Sequence, residues 1–335
     1  MNRQFKCLRH NFVYPDHAYI YPAVLVLIEM RAPRRDSYDR AMVTDRPALT
    51  TALGALGVSA SGLFVALSAT SPGTASFFRC VFALPLLAPL AVAEWRRRGV
   101  PPARQQGWAA AAGVLFAADA LLWTQAIYEV GVGITAVLVN TQVVIVPLLA
   151  RFIDREPLSR HFVTLLPVVV VGTVLTGGIL ETGVIGTAPV AGTVHAALAA
   201  VCYSVFLFLL RRGGPDRPQV QSYVAIMASA AIGALAGGAL WGGVTLMPGW
   251  GAMGWLVLTA ITGQVLGWLL VALGSPLLRA EVSSALLLLT PIGALVLGAA
   301  FLGQVPSMWQ MVGSLLILCS AYLITTRRPA VRSVA

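Results

Sequence analysis

The sequence predicts an all-α polytopic membrane protein, with about ten transmembrane helices in two inverted five-helix repeats. The prediction rests on the composition, on the spacing of apolar segments and on the charges between them. The 335 residues are 58% hydrophobic and 11% charged, whereas soluble domains carry about 25% charged residues. With a mean hydropathy of +0.80, most of this chain is suited to a lipid bilayer and not to water.

The net charge of +10 would also suit a nucleic-acid-binding protein, but its distribution argues against one. The arginines stand in short clusters between apolar runs, as membrane topology requires. No basic face interleaved with aromatic residues is present. The four cysteines are scattered, without a CxxC pair or metal-ligand spacing. We therefore expect the bilayer as a partner, no nucleic acid, no metal and no cofactor.

Residues 1–46 differ from the rest because they are charged and irregular. Their apolar piece, AYIYPAVLVLIEM, is about 13 residues long and contains Pro22, so it is too short to span a bilayer. We predict a disordered cytoplasmic tail and no membrane span before about residue 47. An alternative is that translation begins at Met30 or Met42. Residues 327–335 are predicted to form a second cytoplasmic tail.

Apolar segments long enough to cross a bilayer fill the chain after residue 47. Short connections rich in Gly and Pro separate them, which favours helices that neighbour each other in sequence and in space. The approximate centres of the ten predicted helices are Ser59, Leu84, Phe116, Gln142, Val169, Leu198, Gly233, Gln264, Ile292 and Leu316.

Arginine distribution predicts the orientation of these helices. One set of alternate connections, which includes EWRRRGVPPARQQ and RFIDREPLSR, holds every loop arginine. The other set, which includes SPGT and GQVP, holds none. By the positive-inside rule the first set is cytoplasmic. We therefore expect a multi-pass protein of the cell membrane with an even number of spans and both termini in the cytoplasm.

The chain also shows a weak internal duplication. Residues 136–159 and 284–307 align at an offset of about 148 residues, and each contains an apolar span followed by a short connection and a further span. We assign residues 47–178 to the first repeat and residues 188–326 to the second. If each repeat holds five helices, an odd number, the second must insert upside down relative to the first, as in many secondary transporters.

Five residues at short motifs of the two repeats match a known family pattern: Arg79 in FFRCVFALPLL, Glu156, Gly172, Pro291 and Gly313. At these residues the sequence resembles the EamA family of the drug/metabolite transporter superfamily. The resemblance covers roughly residues 48–325 and implies ten helices in two inverted repeats, with export of metabolites, amino acids or drugs. The sequence departs from the family pattern at Gln304, where a second Glu is often found, and at Val143, where a proline is often found.

Asp119 and Arg79 are the carboxylate and the arginine that lie well inside apolar segments. At 1.5 Å per residue they sit roughly 12 Å and roughly 9 Å from the same membrane surface. One interpretation is a structural ion pair that holds helices 2 and 3 together. The other is that Asp119 faces a cavity as a proton relay or a substrate-binding carboxylate. Arg79 is expected to be structural, because it matches a family-wide pattern.

Several other helices place polar or aromatic side chains near the membrane midplane. For any one of these side chains, a hydrogen bond between helices is the commoner reason, because unpaired polar groups are costly in hydrocarbon. As a set they favour a substrate site between the repeats. The predicted substrate-binding residues are Asp119, Trp123, Asn140, Gln142, His195, Tyr203, Gln264 and Trp268. Glu129, at the end of a predicted helix, is expected to reach water and to have no chemical role.

Enzymatic motifs are missing from the sequence, so no catalytic function is expected. It contains no serine-nucleophile elbow, no HExxH and no P-loop, and the last absence also argues against an ATP-driven pump. Three classes remain: a secondary carrier, a non-transporting scaffold or partner subunit, and a lipid flippase. The buried polar set favours a carrier of small metabolites such as amino acids. Protons moving through Asp119 or His195 would couple transport, although facilitated diffusion needs the same cavity.

Overall fold

The computed structural model describes residues 46–155, 157–181, 186–212, 218–274, 277–278 and 280–326. All the regular elements of these ranges are helical. The predictions for both tails, and the position of Glu156, lie outside the described residues.

Ten membrane helices run through the described ranges, and three of them are interrupted. The first five are α1 (Pro47–Ser68), α2 (Pro72–Arg98), α3 (Ala103–Val130), α4a (Val132–Val139) with α4b (Gln142–Ile153), and α5 (Arg160–Thr176). The next two are α6 (Pro189–Arg212) and α7 (Gln219–Leu240), followed by α8a (Trp250–Thr259), a π-helical segment (Ala260–Gly267) and α8b (Trp268–Gly274). The last two are α9a (Ala280–Leu287) with α9b (Leu289–Leu302), and α10 (Met308–Thr326).

Nine helices of the described chain are long and apolar enough to cross a membrane. The tenth, α5, has 17 residues, the lower end of the range that spans a bilayer. The structure therefore confirms the predicted all-α polytopic class. Five helices in each repeat give the two repeats opposite directions through the bilayer.

Local sequence signals explain where several helices begin. Ser71 precedes Pro72 at the start of α2, and its hydroxyl accepts a hydrogen bond from the backbone N–H of Thr74 at 3.2 Å. Ser159 does the same for the N–H of Phe162 at the start of α5, at 3.1 Å. Such caps satisfy backbone donors that the first turn of a helix leaves without partners.

The most extensive contacts between helices join a helix of one repeat to a helix of the other. Helix α1 packs on α8 and α9b, and α6, its equivalent in the second repeat, packs on α3 and α4. Helix α2 packs on α7, and α5 packs on α10. This reciprocal pattern is that of a pseudo-twofold axis between the repeats.

Glycines allow two of these inter-repeat contacts to be close. At the crossing of α5 and α10, a Cβ on Gly313 would lie 2.7 Å from the carbonyl oxygen of Gly172. At the start of α2, a Cβ on Gly73 would lie 2.7 Å from Cα of Gly238 on α7. Both distances are shorter than real Cβ contacts, so only glycine fits there.

The fourth helix of each repeat is interrupted at equivalent positions. Helix α4 tightens at Asn140 and Thr141, whose N–H groups bond to carbonyls three residues earlier at 3.1 Å each. Helix α9 is interrupted at Leu288, about 148 residues after Asn140, which is the offset of the sequence duplication. Interrupted helices near the midplane are typical of secondary-transporter binding sites, because they expose backbone groups to a cavity.

Candidate functional site

A cavity of about 150 Å³ lies between the two repeats. Helices α1 to α4 of the first repeat and α6, α8 and α9 of the second repeat line it. Six of the eight residues predicted to bind substrate are in its wall: Asp119, Trp123, Asn140, Gln142, Tyr203 and Trp268. Arg79 also lines it, whereas Gln264 and His195 lie elsewhere.

Arg79 is fixed in the cavity wall by two aromatic rings and one amide. Its guanidinium carbon lies 4.8 Å from the ring centroid of Trp123 and 5.9 Å from that of Phe116, both on α3. In the amide orientation that satisfies both groups, the Gln264 side-chain oxygen accepts a hydrogen bond from Nε of Arg79 at 2.9 Å and another from Nη2. Arg79 is 7% exposed, so these neighbours hold a buried cation in place.

The expected direct ion pair between Arg79 and Asp119 is not formed, although both side chains are described and line the same cavity. Asp119 is buried, and its Oδ1 has no hydrogen-bond partner in the described chain. The physical reason is that Trp123, one turn after Asp119, stacks on the guanidinium, while Gln264 occupies its Nε edge. The structure therefore places Arg79 and Asp119 in the wall of one cavity without the direct ion pair that the structural interpretation expects.

Two amides on the interrupted α4 share this lack of protein partners. Nδ2 of Asn140 and Oε1 of Gln142 are buried and without hydrogen-bond partners among the described residues. They flank the tightened turn between α4a and α4b. Buried polar atoms in folded proteins nearly always have partners, so a water or a bound solute would be needed to satisfy these two amides.

Gln264 takes a different position from the one its sequence spacing predicts. Four residues separate it from Trp268, which in an α-helix would put both on one face, but Gln264 lies in the π-helical segment, which has more residues per turn. Trp268 reaches the cavity and contacts Tyr203 at 6.4 Å between ring centroids, while Gln264 is 1% exposed and lies behind Arg79. Its side-chain amide contacts Arg79 and the hydroxyl of Tyr223 on α7.

Tyr223 on α7 completes this arrangement and was missed by the sequence analysis. Its hydroxyl donates to the backbone carbonyl of Gln264 at 3.0 Å, a group inside the π-helical segment. No sequence signal identifies such a residue, because the partner lies 41 positions away in the chain.

His195 also lies outside the cavity wall, so the structure does not bring it together with the predicted residues that line the cavity. Its Nδ1 lies 2.6 Å from Oε2 of Glu129, and its ring packs against Trp241 at 5.4 Å between centroids. Glu129 accepts a further hydrogen bond from Gln125 at 2.7 Å and is only 8% exposed. Glu129, expected to reach water, instead joins α3 of one repeat to α6 of the other.

Comparisons with known proteins agree with this geometry. A solved structure described as "Crystal structure of protein" matches at a TM-score of 0.54 and 20% sequence identity, over 84% of this chain and 96% of that chain; this likeness shows the fold. No curated protein matches. The family model described as the EamA-like transporter family matches residues 46–178 and 190–326. The chain belongs to the EamA-like transporter family.

In this EamA-like transporter, a contact between Gln304 and Val132 joins the repeats at one end of the helix bundle. This is the end at which α3 connects to α4 and α9 connects to α10. Oε1 of Gln304 accepts a hydrogen bond from the N–H of Val132, the first residue of α4a, at 2.9 Å. Gly131 allows this approach: a Cβ there would lie 2.8 Å from that oxygen, and its φ of +89° favours glycine. Gln304, which departs from the family pattern, thus caps the start of α4a in the opposite repeat.

A second contact between the repeats lies beside the interruption of α9. The hydroxyl of Ser59 on α1 lies 2.8 Å from the carbonyl oxygen of Thr290 and 3.2 Å from that of Leu289. Both carbonyls belong to the first turn of α9b. Ser59 and Thr290 also line the cavity, so the EamA-like transporter has additional polar wall residues that sequence reasoning did not select.

Proposed function

We propose that the protein is a secondary transporter that carries small metabolites, such as amino acids or related compounds, by alternating access around the central cavity. The single observation that supports this most is the group of orphaned polar atoms in the cavity wall, on Asp119, Asn140 and Gln142. A non-transporting scaffold needs no such atoms, because burying them without partners costs free energy. A solute that hydrogen-bonds to them would offset that cost.

Cavity size favours a small solute. A cavity of about 150 Å³ is the size of an engineered protein cavity that binds benzene, and lies below the roughly 300–1,000 Å³ of sites for drug-sized ligands. Amides and Asp119 would hold the polar part of the solute. Trp123, Tyr203 and Trp268 would contact its apolar part.

Alternating access would follow from the symmetry of the contacts. The repeats would rock about their shared axis, and the interrupted α4 and α9 would absorb the change in backbone conformation. The arginine-bearing connections support cytoplasmic termini and insertion in the cell membrane. Export, in preference to import, is supported by the family resemblance.

Proton coupling would use Asp119. Its carboxyl group is buried, faces the cavity and has no cation at ion-pair distance in the described chain, so it can bind and release a proton as the cavity changes sides. His195 is separated from this route by its position outside the cavity wall. Facilitated diffusion would use the same cavity without the proton.

The test is solute flux in proteoliposomes that contain the purified full-length protein. A panel of labelled amino acids and related metabolites is offered with and without a pH gradient. We expect at least one solute to move, with Gln142→Ala reducing its rate about tenfold or more, the effect of a lost buried hydrogen bond. The matched control is Gln106→Ala on the exposed start of α3.

Equal flux in Gln142→Ala and wild type would place the site elsewhere. Absence of flux for every solute would support the scaffold alternative, and movement of labelled lipid between leaflets would support the flippase alternative. Stimulation by a pH gradient that Asp119→Asn removes would support proton coupling, whereas gradient-independent flux would support facilitated diffusion.

A further inference from the structure

We propose that Arg79 is the residue that binds a carboxylate group of the transported solute, and so determines which solutes the cavity accepts. This proposal rests on the proposed function and deepens it. It differs from the structural role that the sequence favours for Arg79, and it follows from how the guanidinium is held.

The contacts of Arg79 fix its position without neutralising its charge. Gln264 is a neutral acceptor, and it occupies Nε and one N–H of Nη2. Trp123 and Phe116 contact the guanidinium through their rings. Since a guanidinium has five N–H donors, three remain, including both on Nη1. An arginine that existed only to join helices would be expected to have its carboxylate partner at ion-pair distance.

The neighbours of Arg79 are themselves fixed, so the cation is preorganised. The backbone carbonyl of Gln264 is bonded by Tyr223, which anchors the π-helical segment that carries the amide. Trp123 packs against the buried apolar cluster that includes Val65 and Ile127. A guanidinium held in one orientation presents a rigid fork that matches the two oxygens of a carboxylate.

Asp119 supplies the complementary half of the recognition. The carboxyl-bearing residue Asp119 lines the same cavity as Arg79, so a solute with one carboxylate and one ammonium group would meet a guanidinium at one end and a carboxyl group at the other. Because the volume is about 150 Å³, both ends of a small solute lie within one cavity. A solute without the carboxylate would leave the charge of Arg79 buried and unpaired, which is costly.

The experiment compares amino acids with their amides, which have the same size and ammonium group but no carboxylate. Valine with valinamide and phenylalanine with phenylalaninamide are titrated against full-length protein in detergent, with ligand-dependent thermal stabilisation as the readout. We expect each acid that binds to have an affinity at least about tenfold higher than its amide, the effect of one charge-assisted hydrogen bond. Equal affinities, or stabilisation by no acid, overturn the proposal.

Two variants locate the effect at Arg79. Arg79→Gln should abolish the preference for acids. Gln264→Glu keeps the size of the amide and places a carboxylate against Arg79, so it should also abolish the preference even if Arg79→Gln does not fold. The control is Gln106→Glu, which should retain the preference. An acid preference that persists in Gln264→Glu overturns the proposal, because the carboxylate then binds elsewhere.

Inorganic phosphate, titrated alone, separates a carboxylate site from a phosphate site. We expect no stabilisation by phosphate that depends on Arg79, and phosphate binding lost in Arg79→Gln would overturn the assignment to a carboxylate. Failure of this proposal is distinguishable from failure of the proposed function. Flux of neutral or cationic solutes that requires Gln142 would retain the transporter and reject the role of Arg79.

Discussion

Replacing Gly133 with alanine tests the packing of the two interrupted helices. Gly133 lies on α4a, and a Cβ there would stand 2.6 Å from Cα of Leu295 on α9b. Ordinary contacts of a Cβ begin at 3.4 Å, so the helices must separate by about 0.8 Å, or distort. Because the neighbour is main chain, no side-chain rotation relieves the clash, and we expect the upper half of the overpacking cost of about 1–3 kcal/mol.

The matched control is Gly254→Ala on α8a, where a Cβ meets nothing within 4 Å. Both substitutions gain helix propensity of about 1 kcal/mol, so the difference in unfolding free energy between the two variants isolates the packing cost. Equilibrium unfolding in one detergent measures it. We expect Gly254→Ala to be at least as stable as wild type and Gly133→Ala to be about 2–3 kcal/mol less stable than Gly254→Ala. Equal stabilities would refute the close approach of α4a and α9b.

Three further predictions concern charges and orientation. In a stability cycle, Glu129→Gln and His195→Gln should show a coupling of about 0.5–3 kcal/mol, because the two side chains are in direct contact and only 11% and 23% exposed; additive losses would contradict the bond. Arg79→Gln and Asp119→Asn share a cavity but no direct ion pair, so they should couple more weakly than Glu129 and His195; an equally large coupling would restore the direct ion pair. In a cysteine-free background, Arg97→Cys should be labelled from the cytoplasmic side and Met247→Cys from outside; the reverse would invert the topology.

The helices and their repeat could be predicted from sequence because both depend on local information. Hydropathy over about 20 residues identifies a span without knowledge of its neighbours. The offset of about 148 residues that relates the duplicated segments also relates the interruptions at Asn140 and Leu288. The position of the interruption in α4 was not evident from the sequence. Proline is the residue that commonly interrupts helices, but Pro147 lies within α4b and not at the interruption.

The contacts of the site were harder to predict, because they depend on helix rotation and on distant partners. Asp119, Asn140 and Gln142, which the sequence places at similar mid-span depth, line one cavity in the structure. The π-helical segment, which has no sequence signature here, turns Gln264 behind Arg79. His195 contacts Glu129, a residue 66 positions away. The depth of His195 in the membrane, estimated from sequence, does not show whether its side chain points to Glu129 or to the cavity.

The most direct test of the central claim, that solutes pass through the cavity, is to fill it. Ala136 lines the cavity on α4a, so Ala136→Trp places a large side chain in the path. Val296 on α9b is 60% exposed, and Val296→Trp adds the same side chain facing lipid. In proteoliposomes matched for the amount of folded protein, we predict that Ala136→Trp reduces solute flux by about tenfold or more and that Val296→Trp leaves it unchanged. Flux through Ala136→Trp at the rate of Val296→Trp would contradict the account.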